Sequence, residues 1–211
     1  MSNITCPLCS GSSSQYYKHK ERDFLQCHNC SSVFLHPKDH LTPEAEEAHY
    51  KHHNNDPDNI GYQNFVRPLV DKIISDFWPD QHGLDFGSGT GSPIVKLLED
   101  LGFKIRQYDL YFHNEPALLR QKYSYIACSE TAEHFKEPYK EFKLLRGLLH
   151  PNGKLYVMTE LWKNDQDFSS WYYKNDHTHV FLYHPDAFEW IKQEFGFKDV
   201  QIEKRVVVLT L

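Results

Sequence analysis

Three groups of residues in this chain have the types and spacing to do chemistry. The first is a cysteine quartet. Cys6, Cys9, Cys27 and Cys30 form two C-x2-C pairs separated by 17 residues. Thiolates are good zinc ligands, and a pair on a tight knuckle presents two sulfurs to one ion, so two knuckles complete a tetrahedron. Four protein ligands leave no open coordination position, which makes such a zinc structural. The other reading is ordinary buried or redox cysteines, but this spacing favours metal. Cys128 stands apart at the end of an apolar run and reads as a core residue, since no base is paired with it in the sequence.

The second group is the glycine-rich run Leu84-Asp85-Phe86-Gly87-Ser88-Gly89-Thr90-Gly91. Glycines allow a tight turn and close approach of a ligand to the backbone, and a helix starting just after offers free N–H donors. The dinucleotide fingerprint needs a third glycine at position 92, where this chain has Ser92. That disfavours a nicotinamide-binding protein. The plain alternative is a strand–helix turn with no ligand.

The third group is built on histidine, whose pKa near neutrality suits it to proton removal. His134 follows Glu133, and His179 sits in the aromatic stretch 171–183 with Asp176 three residues before it. Asp176 and His179 read either as an orienter–base pair or as a brace for their own loop. His134 reads either as a base or positioning group or as a pocket wall. Tyr50, Tyr62 and the cluster His49, His52 and His53 are candidates to fold over a ligand, or else belong to a solvated connector. Adjacent histidines seldom converge, so a metal at that cluster is disfavoured.

The elements that must position these groups follow from the apolar pattern. Phe65, Leu69, Val70, Ile73, Ile74 and Phe77 recur at helical spacing, and residues 83–86 read as a strand leading into the glycines. A helix over 93–101, strands over 104–109 and 123–128, a helix over 139–149 and a strand over 154–159 continue the alternation. A helix over 187–195 and two β runs, 200–203 and 206–211, close the chain. Alternation of this kind predicts right-handed crossovers and an α/β, Rossmann-like, doubly wound, mostly parallel sheet with helices on both faces. Residues 1–36 read as a zinc ribbon too small to stand without a metal staple. Residues 37–60 form a connector suited to a lid, with Thr42-Pro43-Glu44 reading as a helix start.

In this order the motifs resemble class I methyltransferases that use S-adenosylmethionine. Asp85-x-Gly87-x-Gly89-x-Gly91 is similar to their first motif, and Asp109, 18 residues after Gly91, stands where the family holds the ribose hydroxyls. Ser129-Glu130-Thr131-Ala132-Glu133-His134 resembles the fourth motif, and Leu148-Leu149-His150-Pro151-Asn152-Gly153 the turn before the fifth strand. The resemblance covers residues 61–211. It implies that Asp85, Gly87, Ser88, Gly89, Gly91, Asp109, Leu110, Ser129, Glu130 and Thr131 serve S-adenosylmethionine, and that His134, His179 and Asp176 serve the acceptor. One departure stands out: only 13 residues separate Asp109 from Tyr123, too few for the usual helix and third strand. That strand is expected to be truncated or replaced by an irregular segment, and the residues around the adenine stay open.

The chain of 211 residues carries 23 Lys plus Arg against 29 Asp plus Glu, a net charge of −6, which argues against a nucleic-acid partner. No apolar run approaches the roughly 18–20 residues of a membrane span, and the N-terminus has no secretory pattern, so a cytoplasmic protein is expected. Fourteen His, fourteen Phe, thirteen Tyr and four Trp supply groups that line pockets. The expected activity is methyl transfer to a small-molecule acceptor, a sugar or an aromatic metabolite. An RNA or protein methyltransferase that docks its substrate on the ribbon is one alternative, and a non-catalytic cofactor-binding protein is another. The oligomeric state and the acceptor atom are left open.

Overall fold

The computed structural model describes residues 4–51 and 55–211. His52 and His53 therefore lie outside the described residues. Among the described residues, ten strands form two sheets and five α-helices pack around them. The smaller sheet contains β1 (Ser13–His19), β2 (Arg22–Cys27), β3 (Val33–Leu35) and β8 (Phe181–Leu182), in that order and all antiparallel. The larger sheet contains β4 (His82–Phe86), β5 (Lys104–Tyr108), β6 (Tyr123–Ser129), β7 (Leu149–Met158), β9 (Asp199–Glu203) and β10 (Val206–Thr210). Its order is β5-β4-β6-β7-β10-β9. The first four strands run parallel, and β10 is antiparallel to both β7 and β9.

The helices start where capping side chains dictate. Thr42 accepts from the Ala45 N–H at the start of α1 (Pro43–Tyr50), and Asn59 accepts from the Tyr62 N–H at the start of α2 (Ile60–Asp76). Ser92 does the same for Val95 at α3 (Pro93–Glu99). α4 (Pro138–Leu148) and α5 (Pro185–Phe195) complete the set.

Side chains alternate across each strand, so the large sheet has two apolar faces. Tyr125 and Ala127 of β6 join Leu69, Val70 and Ile73 of α2 and Leu98 of α3 on one face. Ile126 and Cys128 join Phe142 and Leu145 of α4 and Phe188 and Ile191 of α5 on the other. Cys128 is fully buried there. Cys6, Cys27, Cys30 and Phe34 of the ribbon belong to this second cluster, so its core is continuous with the sheet's.

Between β5 and β6 the chain makes only a turn closed by Asp109 and His113 and one 3-10 turn over Leu118–Arg120. The third strand of the expected pattern is absent there. No helix among the described residues is long and apolar enough to cross a membrane.

Candidate active site and cysteine cluster

From β4 the chain winds to β5 on one side and then to β6 on the other. The crevice beyond the carboxyl ends of these strands is where such sheets bind ligands. A cavity of about 1240 Å³ occupies it, larger than the roughly 300–1,000 Å³ that serves one small ligand. Its floor is Gly87–Gly89 after β4, Asp109–Phe112 after β5 and Ser129–Thr131 after β6. Asp85 and Gly91 lie behind that wall rather than on it. Asp85 is only 2% exposed; burial pushes its carboxyl up to about 7, against a hydrogen bond from Ser92 that favours the charge.

The glycine bend takes the conformation its residues allow. Gly87 has φ +81° and Gly89 φ +62°, a region costly for side chains. A Cβ on Gly87 would meet Thr131 at 2.2 Å, and one on Gly89 would meet the Asn55 amide at 2.3 Å. Thr131 donates to the Gly87 carbonyl at 3.1 Å. Asp109 accepts at Oδ2 from the Gly89 N–H (2.9 Å) and at Oδ1 from the N–H groups of Tyr111 (2.9 Å) and Phe112 (3.1 Å). Oδ1 is thus filled, and Oδ2 keeps one acceptor site for a ligand. Ser88 Oγ and Ser129 Oγ, both on the cavity floor, are buried without a hydrogen-bond partner among the described residues. Orphaned hydroxyls are costly in a dry interior, and a polar ligand in the cavity would satisfy them. These donors and acceptors fit a nucleoside with a polar amino-acid tail.

The far end of the cavity carries the histidines. His134 Nδ1 lies 3.0 Å from the Thr178 carbonyl, and His179 Nδ1 lies 2.8 Å from the Tyr173 carbonyl. A carbonyl only accepts, so both Nδ1 atoms donate, a tautomer that places the lone pair of a neutral imidazole on Nε2. Burial lowers the pKa of His179, which keeps it neutral. The two rings meet edge-on, 4.9 Å between centroids. Asp176 Oδ2 is 3.9 Å from His179 Nε2, beyond hydrogen-bond reach, while its Oδ1 accepts from the Thr178 N–H at 2.8 Å and hydroxyl at 2.6 Å. Burial opposes the Asp176 charge, but those bonds hold its carboxyl below the ordinary range. This geometry is that of a loop brace.

Sequence reasoning did not single out Glu133 or Tyr173 by role. Glu133 is fully buried; its carboxylate accepts from the Tyr173 hydroxyl at 2.5 Å and from Thr159 at 2.9 Å. Glu130, beside it, is pushed up to about 8 by burial and by the Glu133 charge. α1 roofs this end: Glu46 pairs with Lys136 at 2.6 Å, and Tyr50 packs edge-on to His134 at 5.4 Å. His49 reaches Asp176 at 3.5 Å, and Tyr62 lines the cavity.

The ribbon reaches the same loop. Arg22 Nη1 donates to the Asp176 carbonyl (3.0 Å), and Nη2 donates to those of Lys174 (2.9 Å) and Asn175 (3.4 Å). The Leu35 N–H donates to the Val180 carbonyl at 2.8 Å, one residue past His179. No sequence signal marks Arg22, because its partners are 152–154 residues away.

The four ribbon cysteines converge. Cys6 and Cys30 sulfurs are 3.8 Å apart, those of Cys9 and Cys27 are 3.3 Å apart, and all four lie within 4.8 Å of one another. Thiolates about 2.3 Å from a tetrahedral zinc stand about 3.8 Å from each other. Both knuckles end on a serine with positive φ, Ser10 at 56° and Ser31 at 59°. The Cys30 N–H points at the Cys27 sulfur, 3.4 Å away. The quartet fits a zinc ion.

A family model described as a methyltransferase domain matches residues 62–202. A comparison with curated proteins finds no match. Among solved structures, a 1,6-didemethyltoxoflavin-N1-methyltransferase from Burkholderia thailandensis, with bound 1,6-didemethyltoxoflavin and S-adenosylhomocysteine, superposes with TM-score 0.57 at 13% identity over 93% of this chain and 97% of that one. A SAM-dependent methyltransferase from Archaeoglobus fulgidus gives 0.55 at 20% identity over 67% and 72%. An O-methyltransferase family protein from Burkholderia thailandensis gives 0.53 at 15% identity over 78% of this chain, which spans only 61% of that protein. These likenesses concern the fold. With the matched family covering most of the chain and a sheet of the same architecture, the chain belongs to the methyltransferase-domain family and has the fold of S-adenosylmethionine-dependent methyltransferases.

Proposed function

We propose that this chain moves a methyl group from S-adenosylmethionine to a small-molecule acceptor, a sugar or an aromatic compound, held under α1. The observation that carries the reading is the joining of two kinds of wall in one cavity. Orphaned Ser88 and Ser129 hydroxyls and the open acceptor site of Asp109 lie at one end, and the Nε2 lone pairs of His134 and His179 at the other. When bound, the cofactor supplies an electrophilic methyl on a sulfonium. Gly87, Ser88 and Gly89 would hold its amino-acid end, Asp109 Oδ2 a ribose hydroxyl, and Leu110 and Ser129–Thr131 the flanks. Asp85 and Gly91 would act from behind, by fixing the bend.

The remaining chemistry falls to the protein. The acceptor must stand in line with the methyl at about 3–3.5 Å. A histidine Nε2, of His134 or His179, would take the proton of an acceptor hydroxyl or amine as it is methylated. Asp176 keeps the His179 loop in place. Tyr50, Tyr111 and Tyr173 offer ring faces and edges to the acceptor. The structure solved with 1,6-didemethyltoxoflavin, almost all of whose length this chain covers, supports a small acceptor.

The cysteine quartet would hold one structural zinc, and zinc thiolates suit a reducing cytoplasm. Transfer of tritiated methyl from S-adenosylmethionine to a panel of phenols, sugars and amines, with RNA and protein fractions alongside, tests the reading. Label in a small molecule is expected. Label only in polymer, or none above background, overturns it.

A further inference from the structure

We infer that Glu133, His134 and His179 form a second metal site, distinct from the cysteine quartet, that takes a divalent transition-metal ion on the wall of the cavity. The three residues each offer a donor atom, and these atoms all lie within 4.8 Å of one another. Both imidazoles have given their Nδ1–H to backbone carbonyls, those of Thr178 and Tyr173. Ligating histidines are held in this way: the outer hydrogen bond fixes the tautomer and turns the other nitrogen's lone pair inward. The Glu133 carboxylate is likewise oriented from behind, by the hydroxyls of Tyr173 and Thr159. The shell that would orient the ligands is complete, while no described residue donates a hydrogen bond to either Nε2.

Charge points the same way. Glu130 stands next to Glu133, both within reach of the Tyr173 hydroxyl. Glu130 Oε1 is buried with no hydrogen-bond partner; Arg205 Nη1 stands off at 3.6 Å. The backbone of Glu130 is in the left-handed region, φ 47°, a strain that non-glycine residues keep where the surroundings enforce it. Arg205 answers Glu130, whereas the Glu133 carboxylate meets only hydroxyl donors and has no cationic partner among the described residues.

Two imidazoles and one carboxylate select the ion class. Nitrogen ligands suit Mn(II) through Zn(II) better than Mg(II) or Ca(II), and a two-His, one-carboxylate set leaves open positions. Ligands about 2.1 Å from an ion stand about 3 Å apart when adjacent, so loading draws the side chains inward by roughly an ångström or two. An ion there would occupy the Nε2 lone pairs that serve as bases in the metal-free site, and would act instead by lowering the pKa of an acceptor hydroxyl that ligates it. The site rests on these residues and not on the methyl-transfer reading.

The test is titration of Mn(II) into the full, zinc-loaded chain without cofactor, followed by the electron-paramagnetic resonance of the free aquo ion. The wild type is expected to silence one equivalent. His134→Ala and His179→Ala should each weaken binding at least about tenfold while keeping the cysteine-bound zinc. Two zinc ions per purified wild-type chain and one per His179→Ala chain would support the site equally. A wild type that leaves the Mn(II) signal unchanged while holding one zinc overturns it, as do variants that bind like the wild type. The wild-type titration decides even if a variant fails to fold. A chain that binds Mn(II) but transfers no methyl would uphold the metal site and count against the proposed activity.

Discussion

Asp85→Asn should make the ligand-free protein more stable, increasingly so as pH rises. The side chain is buried behind the glycine bend, with its carboxyl raised from 3.8 to about 7. Between those values the folded state binds more protons than the unfolded one, so folding grows less favourable as pH rises through the window. A tenfold change in a proton-binding equilibrium is worth about 1.36 kcal/mol, which makes the penalty about 2 kcal/mol near pH 5 and about 4 kcal/mol near pH 8. Asparagine has the same shape, carries no charge and still accepts from Ser92, so it removes most of this penalty. Urea denaturation of wild type and variant at several pH values in this range reads the difference directly, and zinc-dependent effects common to both cancel. A difference that widens by about 2 kcal/mol from pH 5 to pH 8 is expected. A flat difference, or a variant less stable at every pH, would refute the claim that a buried charge is held there.

Three further perturbations follow from the geometry. Arg22→Ala removes the fork that holds the carbonyls of residues 174–176, and should cost about 2–4 kcal/mol and speed amide exchange around His179; a loss under about 0.5 kcal/mol would contradict the clamp. Cys27→Ser should lower zinc by about one ion per chain relative to the wild type and loosen β1–β3 together with the β8 loop, with wild-type zinc content by metal analysis as the opposing result. Asp109→Ala should weaken S-adenosylhomocysteine binding in calorimetry without unfolding the protein, although three backbone N–H groups lose their acceptor; unchanged affinity would refute the ribose role.

The sheet was readable because its elements announce themselves locally. Apolar alternation marked the strands, the glycine run marked the first bend, and the 13 residues between Asp109 and Tyr123 foretold the missing strand. Convergence of the cysteines was carried by spacing alone. α2 begins five residues before Phe65, where its apolar face becomes visible, because the Asn59 cap sets the start and the first turn is exposed. What the sequence did not disclose depends on contacts between distant residues. β8 is two residues long, too short for any periodic signal, yet it completes the ribbon sheet and fixes the segment after His179. Arg22 looks like one charge among several in the ribbon, and only the folded chain brings it to the loop at 174–176. Glu133 reads as part of a motif, while its bonds to Tyr173 and Thr159 exist only once β6, β7 and the aromatic stretch meet.

The place where a nucleoside binds is the most direct test of the cofactor site. A crystal structure of the chain grown with S-adenosylhomocysteine should show the ribose on Asp109 Oδ2 and the homocysteine end against the Ser88 and Ser129 hydroxyls, its sulfur facing His134 and His179. A cavity that stays vacant at saturating ligand, or a nucleoside bound anywhere else on the chain, would contradict it.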